Sequence, residues 1–227
     1  PPTKNPDVIP AEIEIQYPEL SSSLKADTAV TGINSAIQTR LLALADGEPA
    51  KTIDELIERF AAGYAASVKE TPEMPGAWSL KCVTTIRHAD ADLLALETIT
   101  SIFTGGAHPN SEITYQVYSL KTGKPIELSA LIAVDKIDEL NRIAEKIFRQ
   151  VRNLKPDETY EQAGFQFDKG RFALNNNFLV SKSGLTFCYN AYEIAPYALG
   201  TTELVIPWPD LKNVVAPKSL AERFLKE

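Results

Sequence analysis

The sequence contains no apolar run approaching the ~20 residues that a membrane-crossing helix needs. It is also poor in metal ligands: two cysteines, Cys82 and Cys188, and two histidines, His88 and His108, in 227 residues. Neither histidine belongs to an H-x-x-x-H pattern and the cysteines form no C-x-x-C pair, so the spacings that build zinc sites are missing. Positive charge is short as well. Lys and Arg number 23 against 30 Asp and Glu, for a net charge of −7. That balance argues against a nucleic-acid partner, because phosphate binding wants a basic face. It would suit a cationic partner, or serve solubility alone. There is no internal repeat, no G-x-S-x-G elbow, no P-loop and no dinucleotide fingerprint. No cofactor and no metal are expected.

The chain opens at Pro1 with neither a Met nor a signal-type pattern, as a trimmed exported protein would. Residues 1–10, beginning Pro1-Pro2-Thr3-Lys4-Asn5-Pro6, read as a stiff, extended tether compatible with a lipid anchor upstream. Cys82 and Cys188 both fall in expected strands. Two buried thiols and one long-range disulfide both remain open.

Residues 11–75 read as an N-terminal strand and a helical lobe. Glu12 to Tyr17 alternates polar and apolar and stops at Pro18, as a half-buried strand does. Val30, Ile33, Ile37, Leu41 and Leu44 then recur at helical spacing, with Asp27 or Thr28 as cap. Thr52 and Glu55 fit a capping box, opening a helix that would bury Ile53, Leu56, Ile57, Phe60, Tyr64 and Val68. Pro72, Pro75 and Gly76 close the lobe.

Residues 76–227 read as a β-rich lobe with helices, packed with the first as one unit. Trp78–Ile86, Leu93–Phe103, Ile113–Leu120 and Pro125–Leu128 are expected strands. Their short turns at His88–Asp92, Gly105–Asn110 and Lys121–Gly123 imply antiparallel pairing. A helix is expected from Asp135 to Val151, with Ile137, Leu140, Ile143, Ile147 and Val151 on one face. A hairpin, Phe178–Ser181 with Leu185–Tyr189, a strand at Glu203–Trp208 and a helix from Ser219 complete the chain. Helices and strands come in blocks, so the fold class is α+β: an antiparallel sheet covered by amphipathic helices, in one lobe or two.

Several patterns invite a chemical reading. Ser22-Ser23-Leu24-Lys25 matches S-x-x-K and Lys121-Thr122-Gly123 matches K-T-G, the marks of a serine acyl-transferase. Yet Ser22 precedes the first helix, Lys121–Gly123 falls in a turn, and no S-x-N lies between them. His88, Asp90 and Asp92 would share one face of an extended chain, but they sit where a hairpin must turn and are read as solvated. Among 30 acidic residues no pair stands out as the two carboxylates of a glycosidase. No catalytic residue is assigned.

Two segments are unusual. Thr104 to Asn110 places Gly105, Gly106, His108 and Asn110 in one strand connection, where glycine allows close backbone approach and the polar tips can bond a ligand. Tyr192 to Gly200 carries Tyr192, Glu193 and Tyr197 in a loop too apolar to float in water. Each can equally be a packed structural loop. Taken together, Gly105, Gly106, His108, Asn110, Tyr192, Glu193 and Tyr197 are the candidate ligand-binding residues.

Together the motifs resemble a bacterial extracytoplasmic family of unknown-function domains. That family includes the outer region of a lysozyme-sensing anti-sigma factor and the non-catalytic part of a peptidoglycan deacetylase. The resemblance lies in Ile15-Gln16-Tyr17-Pro18, Ile33-Asn34-Ser35-Ala36-Ile37, Gly105-Gly106-Ala107-His108, Thr122-Gly123-Lys124 and Tyr192–Gly200. It covers roughly residues 12 to 208, and departs from the family at Ala191, where a proline is usual. It implies an α+β domain outside the cytoplasm, in the periplasm or at the cell surface, that is lipid-anchored or tethered. The partner it implies is a lysozyme-like protein or a peptidoglycan fragment. The expectation is therefore a non-enzymatic binding domain. The alternatives are a cell-wall hydrolase and a structural envelope lipoprotein.

Overall fold

A computed structural model describes residues 11–23, 27–71 and 76–226. The expected tether, Lys25 of the S-x-x-K pattern, and Pro72 and Pro75 lie outside the described residues. The chain divides into two compact units, Pro1–Thr85 with Thr98–Glu112, and Ile86–Glu97 with Ile113–Glu227. The fold is α+β, with a four-stranded sheet in the order β1-β2-β3-β4 and a three-stranded sheet in the order β5-β6-β7. No helix among the described residues is long and apolar enough to cross a membrane.

β1 (Glu12–Gln16) pairs in parallel with β2 (Ser79–Ala89), Glu12 opposite Ser79 and Gln16 opposite Val83. A parallel neighbour needs a long crossover, and α1 (Thr28–Leu42) and α2 (Ile53–Glu70) supply it. β3 (Leu93–Phe103) and β4 (Asn110–Ser119) follow through short turns, which can only join antiparallel neighbours.

In the first unit, Asp27 caps α1 by accepting from the amides of Ala29 and Val30, and Ile33, Ile37 and Leu41 are buried along its stripe. Asn34 clamps the chain leading into the helix: its amide group donates to Leu20 O at 2.8 Å and accepts from Leu20 N at 2.9 Å. The asparagine of the I-N-x-x-I motif is thus a structural bracket. The Thr52 cap is also as expected, accepting from Glu55 N at 3.1 Å. The return arm differs, because the Glu55 carboxylate accepts from Lys51 N rather than from Thr52. α2 buries Leu56 and Tyr64 but leaves Ile57 at the surface, so its apolar stripe is narrower than the spacing suggests. Leu56 and Phe60 pack with Ile13, Ile15, Leu80 and Ile102 of β1, β2 and β3.

In the second unit, α3 (Ile137–Val151) buries Leu140, Ala144 and Phe148. The buried line is turned from the expected face, and Val151 is exposed. The reason is Phe148, whose ring sits among Tyr160, Phe165, Phe167, Phe172 and Tyr189 with centroids 5.0–6.5 Å away. Edge-on aromatic packing of this extent outweighs the β-branched residues in setting the helix's rotation. β5 (Phe178–Val180), β6 (Gly184–Tyr189) and β7 (Thr202–Pro207) form the second sheet, with the hairpin where the sequence places it.

Two expected elements are not formed. Pro125–Leu128 makes a single bridge, Tyr118 to Pro125, before a 3-10 turn at Leu128–Ala130. Pro125 has no N–H with which to carry a ladder. The helix expected from Ser219 is a 3-10 segment, Leu220–Leu225. Both cysteines are buried free thiols, so the disulfide left open by the sequence is not formed.

Candidate functional site

The loop after β6 is held by a set of asparagines. Asn177 accepts from Tyr115 N at 2.7 Å and donates to Ile113 O at 2.8 Å, while Asn190 accepts from Ile113 N at 2.7 Å. Asn175 donates to Cys188 O and to a Glu193 oxygen, each at 2.7 Å. The other Glu193 oxygen accepts from Asn190 N at 2.9 Å. Both carboxylate oxygens of Glu193 are therefore engaged in bracing the loop. Ile194 and Ala195 are buried beneath it, and Ile194 O accepts from Gln166 N at 2.7 Å. At the far end the Arg152 guanidinium donates to Leu199 O and Thr201 O at 3.0 and 2.8 Å.

On this frame stand Tyr192 and Tyr197, ring centroids 5.8 Å apart and tilted by 35°. Tyr192 is 64% exposed and its backbone is left-handed, φ 68°. Bulky residues avoid that region, at a cost of ~1–2 kcal/mol. The Tyr192 N to Ala195 O bond, 3.0 Å, helps to hold the turn. The sequence reading of a packed loop holds for its apolar middle, while the tyrosines face outward.

The Gly105–Asn110 segment belongs to the first unit. Gly105 and Gly106 have φ of 109° and 101°, with no atom within 4 Å of where a Cβ would stand. Backbone conformation, not crowding, is what requires glycine there. The half-buried His108 ring places Nδ1 2.9 Å from Pro109 O. Asn110 is exposed at the start of β4, and Ser101 and Ser111 join their hydroxyls across the neighbouring strands at 2.9 Å. Tyr192, Glu193 and Tyr197 belong to the second unit.

The sequence reading of His88, Asp90 and Asp92 as a solvated turn holds for the turn, at Asp90–Asp92, but not for His88, and the two carboxylates are paired. β2 runs on through His88, whose side chain is nearly buried and packs edge-on against Phe224 at 5.8 Å. His88 Nε2 lies 2.9 Å from Asp90 Oδ2, and Arg223 reaches Asp90 and Asp92 at 2.6 and 2.7 Å. Burial would raise the Asp90 carboxyl, but bonds from Asp92 N, His88, Leu93 N and Arg223 outweigh it and hold it well below the usual carboxylate range. The arrangement ties the C-terminal segment to the β2–β3 turn. What the sequence offered was the i, i+2, i+4 run of His88, Asp90 and Asp92; the distant Arg223 gave no local signal.

The K-T-G pattern is a turn, as expected: Gly123 has φ 69° and its N–H donates to Ser119 O at 2.8 Å, while Lys121 pairs with Asp92. Ser22 lies ahead of α1, off the helix. Among the described residues no three His, Cys, Asp or Glu side chains gather in a way that could hold a metal ion.

Comparison with known proteins gives five findings. Residues 7–111 match the family model described as "Deacetylase PdaC". Residues 129–209, all in the second unit, match that described as "Protein of unknown function (DUF3298)". No curated protein matches the chain. Among solved structures, a DUF3298 family member from Bacteroides fragilis shares 20% identity with a TM-score of 0.72, covering 89% of this chain and 84% of its own. A DUF3298 family protein from Pseudomonas aeruginosa also shares 20% identity, with a TM-score of 0.62, over 82% of this chain and 79% of its own. These two likenesses bear on the fold. The two sequence matches bear out the resemblance read from the motifs: residues 129–209 are similar to the DUF3298 family of unknown-function domains, and the N-terminal part to the PdaC deacetylase model.

Proposed function

We propose that the chain is a non-enzymatic binding domain working outside the cytoplasm, in the periplasm or at the cell surface. Its ligand is a lysozyme-like protein or a peptidoglycan fragment. The observation that carries this reading is Tyr192, a large aromatic residue kept in left-handed backbone and at the surface, beside Tyr197. Backbone strain of this kind, ~1–3 kcal/mol, persists where surrounding structure enforces it, and it clusters at ligand contacts. Two tyrosines on a braced loop offer rigid, amphipathic contact area at small entropic cost. The net charge of −7 favours encounter with a basic lysozyme and makes the on-rate fall with added salt. Gly105, Gly106, His108 and Asn110 are a second candidate contact, in the first unit. A lipid anchor upstream belongs to the same reading, and metabolic labelling with an alkynyl fatty acid tests it.

Calorimetry against a panel of lysozymes and muropeptides, at low and moderate salt, tests the binding role. Saturable heat that disappears in Tyr192→Gly with Tyr197→Ala is the expected result. Absence of heat with every panel member removes the proposal and leaves a structural role. Release of wall fragments by the protein itself, abolished by one side-chain change, moves it to the hydrolases.

A further inference from the structure

The first unit contains a cavity of about 480 Å³ lined by Leu56, Phe60, Trp78 and Ile102, with Asp46 and Arg59 as its charged residues. That size, with mostly apolar walls and a few polar groups, is the make-up of small-molecule sites. Phe60, Trp78 and Ile102 remain only half-buried although each is large and apolar. The aromatic wall is set: Trp78 lies 5.5 Å from Phe60 and 6.0 Å from Tyr64, ring centroid to ring centroid. α2 accommodates it with Gly63, where a Cβ would come within 3.2 Å of the indole. Glycine inside a helix costs ~1 kcal/mol relative to alanine, so helix propensity is given up here for close approach of the tryptophan.

The two charges differ in what they have left to offer. Arg59 donates to the Glu55 carboxylate and, at 2.7 Å, to Glu48 O, so its guanidinium is already met. Asp46 is exposed and makes no hydrogen bond or ion pair among the described residues. The unspent charge at the cavity is therefore negative, beside aromatic rings whose faces attract cations.

We propose that this cavity binds a small organic cation, an ammonium carried on an apolar ring, with the ring packed against Phe60 and Trp78 and the charge toward Asp46. The site goes beyond the tyrosine loop and shares no residue with it.

The chain has two tryptophans, and Trp208 is buried, so Trp208→Phe leaves Trp78 as the sole indole reporter at the cavity. Phenyltrimethylammonium is the probe, with tert-butylbenzene as its neutral isostere and benzoate as the anionic control. The expected result is a saturable change in Trp78 emission with the cation, and weaker binding of the neutral probe. Asp46→Asn should weaken the cation about five- to tenfold and leave the neutral probe unchanged. Calorimetry on the unsubstituted protein repeats the measurement without touching Trp208. No saturable response by either method, cation binding indifferent to Asp46→Asn, or tighter binding of benzoate overturns the assignment. Tyr192→Gly should leave the cation response intact, so loss of lysozyme or muropeptide binding and loss of cation binding are separate outcomes.

Discussion

Replacing Tyr192 by glycine and, separately, by alanine isolates the strain at the loop from the ring it carries. Both changes remove the same ring, which is 64% exposed and packs beside Tyr197, so that loss is common to the two variants. They differ in backbone preference. At φ 68° alanine retains a left-handed penalty of ~1–2 kcal/mol. Glycine escapes it but loses ~0.5–1 kcal/mol through the greater freedom of its unfolded chain. The glycine variant is therefore expected to be more stable than the alanine variant by about 0.5–1 kcal/mol. At an ordinary loop position the order is reversed, with alanine ahead by ~0.4–1 kcal/mol. Urea unfolding at equal slopes, comparing midpoints, reads the difference directly. An alanine variant more stable than the glycine variant would refute left-handed backbone at Tyr192, and with it the argument that this position is held under strain.

Gly184→Ala should destabilise the protein by ~3 kcal/mol or more, because the new Cβ would fall 2.0 Å from Ile206 O across the β6–β7 ladder; thermal melts check it, and a change below ~1 kcal/mol would contradict the register. Cys188, pushed up to about 12 by burial and then by Glu203, Glu193 and Glu97, and Cys82, raised by burial, should both resist a thiol reagent in the native state. Both should react once the chain is denatured without reductant, and fewer than two thiols then would mean a bridge. Asp90 titrates below its unfolded value, so its contribution to stability is full above pH ~4 and is lost as pH falls from there toward the native value. Acid unfolding should accordingly be shallower in Asp90→Asn, and an unchanged profile would remove Asp90 from the account.

The elements legible in the sequence were those whose signal is local. The α1 stripe with its Asp27 cap, the Lys182–Gly184 hairpin and the glycine turn at Gly123 all follow from spacing or backbone freedom within a few residues. What was missed depends on partners far along the chain. The rotation of α3 is set by rings from Tyr160 to Tyr189, and the burial of His88 by Phe224 and Arg223. The bracing role of Glu193 needs Asn175 and Asn190 in place, which composition alone cannot announce. Of the candidate residues, Gly105 and Gly106 stand out in the structure for the reason the sequence suggested, an unusual backbone, whereas the left-handed backbone of Tyr192 had no signal in the sequence.

The parallel pairing of β1 with β2 has a kinetic consequence. Glu12 pairs with Ser79 across a span of chain that holds α1 and α2, whereas β2, β3 and β4 follow one another through short turns. Closing a long loop costs chain entropy that grows as ~1.5 RT ln n, so contacts near in sequence form first. β1 should therefore dock last, onto a meander already in place, and leave first on unfolding. As the outer strand of its sheet it bonds along one side only. Native-state hydrogen exchange should show the amides of Ile13 and Ile15 opening at lower free energy than those of Leu94 and Leu96 in β3. A mechanical pull applied through the N-terminus would then peel β1 away before it loads the rest of the sheet. The N-terminal strand would act as the weak link under tension.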